Sequence, residues 1–200
     1  MSRKYIWMDK KLKKALFIDR DGVVNRMVRY EGGWDSPQKP EDVVLVDGIA
    51  EVVGQANKKN IPVVEISNQP GVAKGKMNGE QSRAIEERVH ELLKSQGVRI
   101  DYKYICQHHP KGVVPELTMV CECRKPKPGL LLQAARELNI DLEKSFFLGD
   151  KAADVQAGKA AGCKTIIYLH DEDVPEKVEE ARNAPADYKV NSLKEVVKLI

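Results

Sequence analysis

Two carboxylates stand two residues apart, at Asp19 and Asp21, directly after the apolar run 15–18. An aspartate at the end of a strand can accept a phosphoryl group, provided that a cation screens its charge and a neighbouring acid protonates the leaving oxygen. The pair is therefore a candidate site for metal-assisted phosphoryl transfer. By itself it is equally typical of an ordinary turn, because Asp and Gly22 both favour turns.

Two further apolar runs end in polar residues. Residues 61–66 lead into Ser67, and residues 146–149 lead into Asp150. In an open parallel sheet, ligands bind beyond the carboxyl ends of the strands, so residues at equivalent strand positions converge. We therefore expect Asp19, Ser67 and Asp150 to share one site.

The dipeptide Arg124-Lys125 adds positive charge of the kind that phosphoryl transfer requires. Lys125 offers a point charge to a transferring phosphoryl group, while Arg124 can hold a second phosphate or a hydroxyl group through its planar guanidinium. The alternative is a solvated basic turn.

Cysteine and histidine are concentrated in one segment. Three cysteines and a histidine form two pairs with one residue inside each: Cys106, His108, Cys121 and Cys123. These ligands suit tetrahedral zinc, and four protein ligands would make the site structural, holding the loop 109–120. His109 competes with His108 for the ligand position on spacing alone. Three reduced cysteines beside a loop histidine are the alternative interpretation.

Length and charge limit the class of protein. A chain of 200 residues suggests one domain at 15–200, preceded by a polar extension at 1–14. The 33 Lys and Arg residues and 30 acidic residues are interspersed, which gives no basic face for nucleic acid. The run 15–18 is too short for a signal peptide core or a membrane span. We expect a cytoplasmic monomer that binds a small phosphorylated molecule.

Strand and helix patterns alternate along the chain, which predicts a three-layer α/β fold with a mostly parallel sheet. Strands are predicted at the three apolar runs, at 102–106 and at 164–169, and helices at 49–59, after the capping box at 78–81, and at 128–138, 152–161, 175–181 and 192–200. The segment 26–42 is predicted to be a loop over the strand ends. His90 and His170 have no partners that the sequence reveals.

Four segments resemble, in order and placement, the four motifs of the haloacid dehalogenase superfamily of aspartyl phosphatases: 19–23, 67–68, Lys125 and 149–154. Within it, three segments are similar to the bacterial D-glycero-D-manno-heptose 1,7-bisphosphate 7-phosphatases and the related histidinol-phosphate phosphatases: 67–75, 106–123 and 123–129. The resemblance spans residues 15–195. It implies a Rossmann-like fold without a large cap domain, in which a zinc-bound loop partly replaces that cap.

The resemblance also implies roles for the site residues. Asp19 would be the nucleophile that forms a phosphoaspartyl intermediate, and Asp21 the general acid and base. Ser67 would donate its hydroxyl to the phosphate beside Lys125. Magnesium prefers oxygen ligands, and Asp19, Asp150 and the backbone carbonyl of Asp21 would suffice for it.

The same resemblance places Asn68, Arg124 and Lys151 against the substrate. The chain departs from the family pattern at Ser67, where threonine is usual, and at Pro70, where serine is usual. Serine keeps the hydroxyl donor but lacks the methyl group that stiffens the rotamer. These departures bear on the choice of substrate more than on the reaction.

We therefore predict a magnesium-dependent phosphoric monoester hydrolase, which removes the 7-phosphate of a heptose 1,7-bisphosphate. A histidinol-phosphate phosphatase is the alternative enzyme, because it shares the catalytic motifs and the zinc-bound loop. An alternative of another class is a non-catalytic zinc-stabilised binding module. The intact charges of Asp19, Asp21, Lys125 and Asp150 oppose it, since clustered buried charge is costly to retain.

Overall fold

The computed structural model describes residues 12–170 and 175–200, with side chains for all of these except 175–177. Within these ranges it contains eight strands and six α-helices: β1 (Leu16–Ile18), β2 (Val28–Tyr30), β3 (Gly33–Asp35), α1 (Ile49–Lys58), β4 (Val63–Asn68), α2 (Gly79–Ser95), β5 (Tyr102–Cys106), α3 (Gly129–Leu138), β6 (Phe146–Gly149), α4 (Ala152–Ala161), β7 (Lys164–Tyr168), α5 (Pro175–Asn183), β8 (Tyr188–Val190) and α6 (Leu193–Val196).

Six strands form one parallel sheet in the order β5-β4-β1-β6-β7-β8. Helices α1, α2 and α6 pack on one face, and α3 and α4 pack on the other, where α5 lies beside α4. β1 is buried throughout because both faces are covered, which explains its uninterrupted apolar sequence. The predicted three-layer fold with a mostly parallel sheet is confirmed.

Strand order reverses at β1, because the chain passes next to β4 on one side and later to β6 on the other. Such a reversal opens a crevice at the carboxyl ends of the neighbouring strands. The three strands that meet there are β1, β4 and β6. Asp19 directly follows β1, Asp150 directly follows β6, and Ser67 lies at the end of β4. The fold therefore explains why polar groups follow these apolar runs.

Helix ends follow local sequence rules. The predicted capping box opens α2: Gln81 N donates to Asn78 Oδ1 at 2.8 Å, and Asn78 N donates to Gln81 Oε1 at 2.9 Å. At the start of α4, Asp154 Oδ2 accepts a hydrogen bond from Lys151 N at 3.0 Å. The helix ends at Gly162, whose φ of 89° is left-handed and favours glycine.

The structure corrects the sequence interpretation in three places. The segment 26–42 is not a loop throughout, because β2 and β3 form an antiparallel hairpin within it. The final helix spans Leu193–Val196 rather than 192–200. Sequence patterns missed β8, which pairs with β7 at the sheet edge. These four elements, β2, β3, α6 and β8, are only three or four residues long, too short to show a period.

The predicted extension 1–14 falls outside the described residues except for 12–14. Within that part, Lys13 N donates to Asn139 O at 3.1 Å, and Asp141 N donates to Lys13 O at 2.8 Å. Among the described helices, none combines the length and apolar character needed to cross a membrane.

Candidate active site

Three carboxylates meet at the carboxyl edge of the sheet. Asp19 follows β1, Asp150 follows β6, and Asp154 lies in the first turn of α4; one oxygen of each lies within 4.8 Å of the others. All three side chains are buried. The strand order brings Ser67 of β4 to the same edge, beside β1. The structure thus assembles the residues that the apolar runs pointed to.

Lys125 places a buried positive charge against the predicted nucleophile. Its Nζ lies 2.8 Å from Asp19 Oδ1 and 2.6 Å from Asp154 Oδ1, and it donates to Ile66 O at 2.9 Å. Burial alone would lower the pKa of Lys125, but the carboxylates of Asp154 and Asp19 raise it above its ordinary value. Lys125 is therefore a fixed cation.

Burial raises the pKa of Asp19, while the charges of Lys125 and Lys151 oppose that effect. A poorly hydrated carboxylate is more nucleophilic than one in bulk water, and the two lysines favour its charged form and hold it in position. Asp19 therefore has the surroundings of a reactive group rather than those of a turn residue.

Four side chains donate hydrogen bonds to the Asp21 carboxylate: Arg20 at 3.1 Å, Asn25 at 3.0 Å, Ser36 at 2.7 Å and Gln69 at 2.7 Å. Burial alone would raise the pKa of Asp21. The charge of Arg20 and the hydrogen bonds from Ser36 and Gln69 outweigh it and hold this pKa well below its usual range. Asp21 is therefore ionised at neutral pH in this arrangement.

Sequence reasoning gave no role to these four donors. Arg20 and Asn25 belong to the same short motif as Asp21, so their proximity was available as a signal. Gln69 also donates to Ser67 Oγ at 2.8 Å, and so joins the two predicted catalytic residues. Ser36 comes from the hairpin region and had no signal in the sequence.

Lys151 contacts the three oxygen groups that were predicted to bind magnesium. Its Nζ donates to Asp21 O at 2.9 Å and to Asp150 Oδ1 at 3.1 Å, and lies 3.8 Å from Asp19 Oδ2. The positively charged Lys151 side chain therefore occupies the point at which these oxygens converge. Asp150 Oδ2 is buried and accepts no aligned hydrogen bond among the described residues, although Lys151 Nζ lies 3.0 Å and His170 Nε2 3.6 Å from it. A set of carboxylate and carbonyl oxygens fits a hard cation such as magnesium.

Gly22 allows the loop after Asp21 to approach Asp150. A Cβ atom at this position would lie 2.1 Å from Asp150 Oδ2, and the φ of 94° also disfavours any side chain. Glycine is therefore required both by the turn and by the closeness of the two metal-ligand candidates.

The predicted substrate residues contact the protein as follows. Asn68 Nδ2 donates to Lys125 O, and Lys125 N donates to Asn68 Oδ1, both at 3.1 Å. Arg124 Nη1 donates to His108 O at 3.2 Å. Asn68 thus holds the backbone of Lys125, and Arg124 joins the active site to the cysteine-containing loop. Substrate contacts of Asn68, Arg124 and Lys151 stay predictions.

The predicted zinc ligands lie together. Cys123 Sγ is 3.2 Å from Cys106 Sγ and from Cys121 Sγ, and 3.3 Å from His108 Nδ1. His109 lies outside this cluster, since its Nδ1 accepts a hydrogen bond from Lys111 N at 3.1 Å. The structure therefore places His108, rather than His109, with the cysteines.

Comparison with known proteins agrees with this arrangement. A family model described as HAD-hydrolase-like matches residues 122–196. The D-glycero-beta-D-manno-heptose-1,7-bisphosphate 7-phosphatase of Yersinia pestis is 38% identical over 186 residues, which is 93% of this chain and 94% of that protein. The chain belongs to the haloacid dehalogenase family of phosphatases. The Escherichia coli K12 enzyme of the same name is 36% identical over 188 residues, 93% of each chain.

A solved structure shows the same fold. The D,D-heptose 1,7-bisphosphate phosphatase of B. bronchiseptica, complexed with magnesium and phosphate, superposes with a TM-score of 0.77 at 26% identity, covering 93% of this chain and 97% of that one. The predictions of a haloacid dehalogenase fold and of a phosphoric monoester hydrolase are confirmed. The assembled Asp19, Lys125 and Asp150 oppose the alternative of a non-catalytic module.

Proposed function

We propose that this phosphatase removes the 7-phosphate of a D-glycero-D-manno-heptose 1,7-bisphosphate through an aspartyl phosphate on Asp19. The observation that carries the mechanism is the buried contact between the Asp19 carboxylate and the Lys125 ammonium, with Asp21 two residues away. The names of relatives at 36% and 38% identity support the substrate.

Asp19, Asp150 and the carbonyl oxygen of Asp21 would hold magnesium, whose charge screens the nucleophile from the phosphate. With magnesium on these oxygens, the ammonium of Lys151, which contacts them here, would be available to bind the substrate phosphate. This agrees with the substrate-binding role predicted for Lys151.

In the first step, Asp19 attacks phosphorus and the bond to the sugar oxygen breaks. Lys125 neutralises charge on the phosphoryl oxygens, and Ser67 donates its hydroxyl to one of them. Asp21 gives a proton to the leaving sugar oxygen. In the second step, Asp21 takes a proton from water, which attacks the phosphorus of the intermediate and releases phosphate and free Asp19.

The first step requires Asp21 to carry a proton, although its pKa is low without substrate. A bound phosphate is a like charge beside Asp21 and raises this pKa. A phosphate monoester has a second pKa near 6, so the substrate can itself deliver the proton on binding. Asp21 then alternates between the acid and the base.

We further propose that Cys106, His108, Cys121 and Cys123 bind structural zinc. Zinc–sulfur bonds of about 2.3 Å place neighbouring sulfurs of a tetrahedron roughly 3.8 Å apart. The sulfur separations of 3.2 to 3.6 Å are close to that value. Since Arg124 donates to His108 O, the metal would fix the loop that carries a predicted substrate residue.

Phosphate release with magnesium tests the substrate, comparing heptose 1,7-bisphosphate with histidinol phosphate at equal concentrations. We expect a strong preference for the heptose, and at least about 10³-fold loss of kcat in Asp19→Asn. Asp47→Asn, an exposed carboxylate, is the matched control with unchanged kcat. Preference for histidinol phosphate would overturn the substrate but keep the mechanism; activity in Asp19→Asn would overturn the mechanism.

Zinc content of purified protein tests the second site. We expect wild type and Cys163→Ser to retain the bound zinc, because Cys163 is not part of the group formed by Cys106, His108, Cys121 and Cys123. Cys121→Ser should lose most of it and unfold at lower temperature, since the ligand set is broken. Unchanged zinc in Cys121→Ser would remove this cysteine from the ligands.

A further inference from the structure

Three titratable side chains outside the catalytic site meet beneath α2. Glu65 lies on β4 and, like Val63, faces the side of the sheet that α2 covers. Glu86 and His90 stand one turn apart on α2. One ligand atom of each of the three side chains lies within 4.8 Å of the other two. A strand and a helix thus bring two carboxylates and an imidazole to one point.

This cluster holds buried polar atoms without hydrogen bonds. Neither oxygen of Glu65, which is fully buried, has a hydrogen-bond partner, and His90 Nε2 has none either, while Glu86 Oε1 has only an ion-pair contact with Lys103. Only six such side-chain atoms occur in the described part of the chain, and four are here. A fifth is Asp150 Oδ2, in the magnesium site. Buried polar atoms are normally paired, so the three such atoms of Glu65 and His90, which lie beside Glu86, indicate a missing partner.

Of the described cations nearby, Lys103 pairs with Glu86, but Glu65 is left without an ion pair. Lys103 Nζ lies 2.5 Å from Glu86 Oε1, but the hydrogen bonds of Arg20 go to Asp21 and Gln69. Among the described residues, Glu65 forms no ion pair. Lys103 is half exposed on a long, flexible chain and can leave. Its contact with Glu86 resembles the contact of Lys151 with the magnesium ligands.

We propose that Glu65, Glu86 and His90 form a further metal site, for a divalent transition-metal ion such as Zn²⁺. Two carboxylate oxygens and one imidazole nitrogen form a three-ligand set that leaves one coordination position for water. The imidazole favours zinc and related ions over magnesium. No ligand is shared with the magnesium site or with the cysteine cluster.

An ion can reach this site from the surface. A cleft of about 310 Å³ beside α2 is lined by Glu87, His90, Ile100, Asp101, Tyr102 and Lys103. Burial lowers the pKa of His90, which keeps its imidazole neutral at pH 7, the form that binds metal. The entering ion displaces the Lys103 ammonium from Glu86.

A proton is the competing occupant. Burial raises the pKa of Glu65 to about 8, so without metal the side chain is a neutral acid at pH 7. A proton on Glu65 leaves its other oxygen and His90 Nε2 unpaired. A metal ion bound by all three side chains satisfies the cluster more completely.

Equilibrium dialysis against micromolar Zn²⁺ tests this site, with millimolar magnesium present and zinc already bound at the cysteine cluster. We expect one additional zinc per chain in wild type. Binding should weaken at least tenfold in Glu65→Gln and in His90→Gln. Glu87→Gln, which removes an exposed carboxylate of the same helix and cleft, should bind as wild type does.

The variant Lys103→Met distinguishes a metal site from a cluster that has only a structural role. If the ammonium competes with the ion for Glu86, this variant should bind the additional zinc about tenfold more tightly. No additional zinc in wild type, or its retention in Glu65→Gln, would overturn the proposal in favour of a proton. Should Glu65→Gln fail to fold, equal affinity in wild type, His90→Gln and Lys103→Met would overturn it.

Discussion

Asp21 and Glu65 are both buried carboxylates within the electrostatic reach of Arg20, yet their environments differ. Asp21 accepts hydrogen bonds from four side chains, and its pKa lies well below the usual range. Glu65 accepts none, and burial raises its pKa to about 8. Burial alone therefore does not decide the charge of a carboxylate; the supply of donors does.

The number of hydrogen-bond donors around each carboxylate depends on where that residue lies on the sheet. Asp21 lies beyond the end of β1, where the motif loop, the hairpin region and the end of β4 all contribute polar side chains. Glu65 lies three residues before the end of β4, where it is surrounded by the strand and by helix α2. Strand ends thus provide catalytic charge, whereas the strand interior leaves a carboxylate without partners.

Replacing Asp21 and Glu65 each by its amide should give the largest difference between the two residues, because only Asp21 takes part in catalysis. Asp21→Asn should lower kcat roughly 10³-fold, about 4 kcal/mol, because general acid–base catalysis is lost. Glu65→Gln should leave kcat within about threefold of wild type, since Glu65 touches no reacting group. Phosphate-release kinetics check both. A large loss of kcat in Glu65→Gln would contradict the distinction between a catalytic Asp21 and a non-catalytic Glu65.

The pH dependence of stability provides a second contrast, measured without transition metal in the Glu65 cluster. The pKa of Glu65 is about 8 in the folded state and near 4.5 ordinarily. Between these values the folded chain holds a proton that the unfolded chain has lost, so stability falls as pH rises, by up to about 1.4 kcal/mol per unit. From pH 5 to 7, wild type should lose roughly 2 to 3 kcal/mol relative to Glu65→Gln in urea denaturation. Parallel pH dependences would contradict this.

The convergence of Asp19, Ser67 and Asp150 could be predicted from sequence, because each follows an apolar run and parallel strands end at one edge. The position of Lys125 came from a family motif, since nothing in its local sequence places it against Asp19. Ser36 could not be found at all. It reaches Asp21 through a hairpin whose strands are too short to show a period.

Glu65 shows a different limit of sequence reasoning. The run 61–66 predicts an apolar strand, and the observed strand β4 lies two residues further along at Val63–Asn68. Nothing in the sequence gives a role to the single acid within the run. Its neighbours Glu86 and His90 lie more than twenty residues away on a helix. Only the packing of α2 on the sheet brings them together, and periodicity does not specify which residues will face each other.

Removing one hydrogen-bond donor from Asp21 should raise its pKa part of the way towards that of Glu65. Gln69→Leu deletes hydrogen bonds to Asp21 and Ser67. Since these favour the charged form, the pKa of Asp21 should rise, so the protonated acid that the first step requires persists to higher pH. The basic limb of the kcat profile should therefore move to higher pH by roughly one unit. Gln133→Leu, which loses only a surface hydrogen bond to Glu137, is the control. An unshifted basic limb in Gln69→Leu would show that the remaining donors alone determine the ionisation of Asp21.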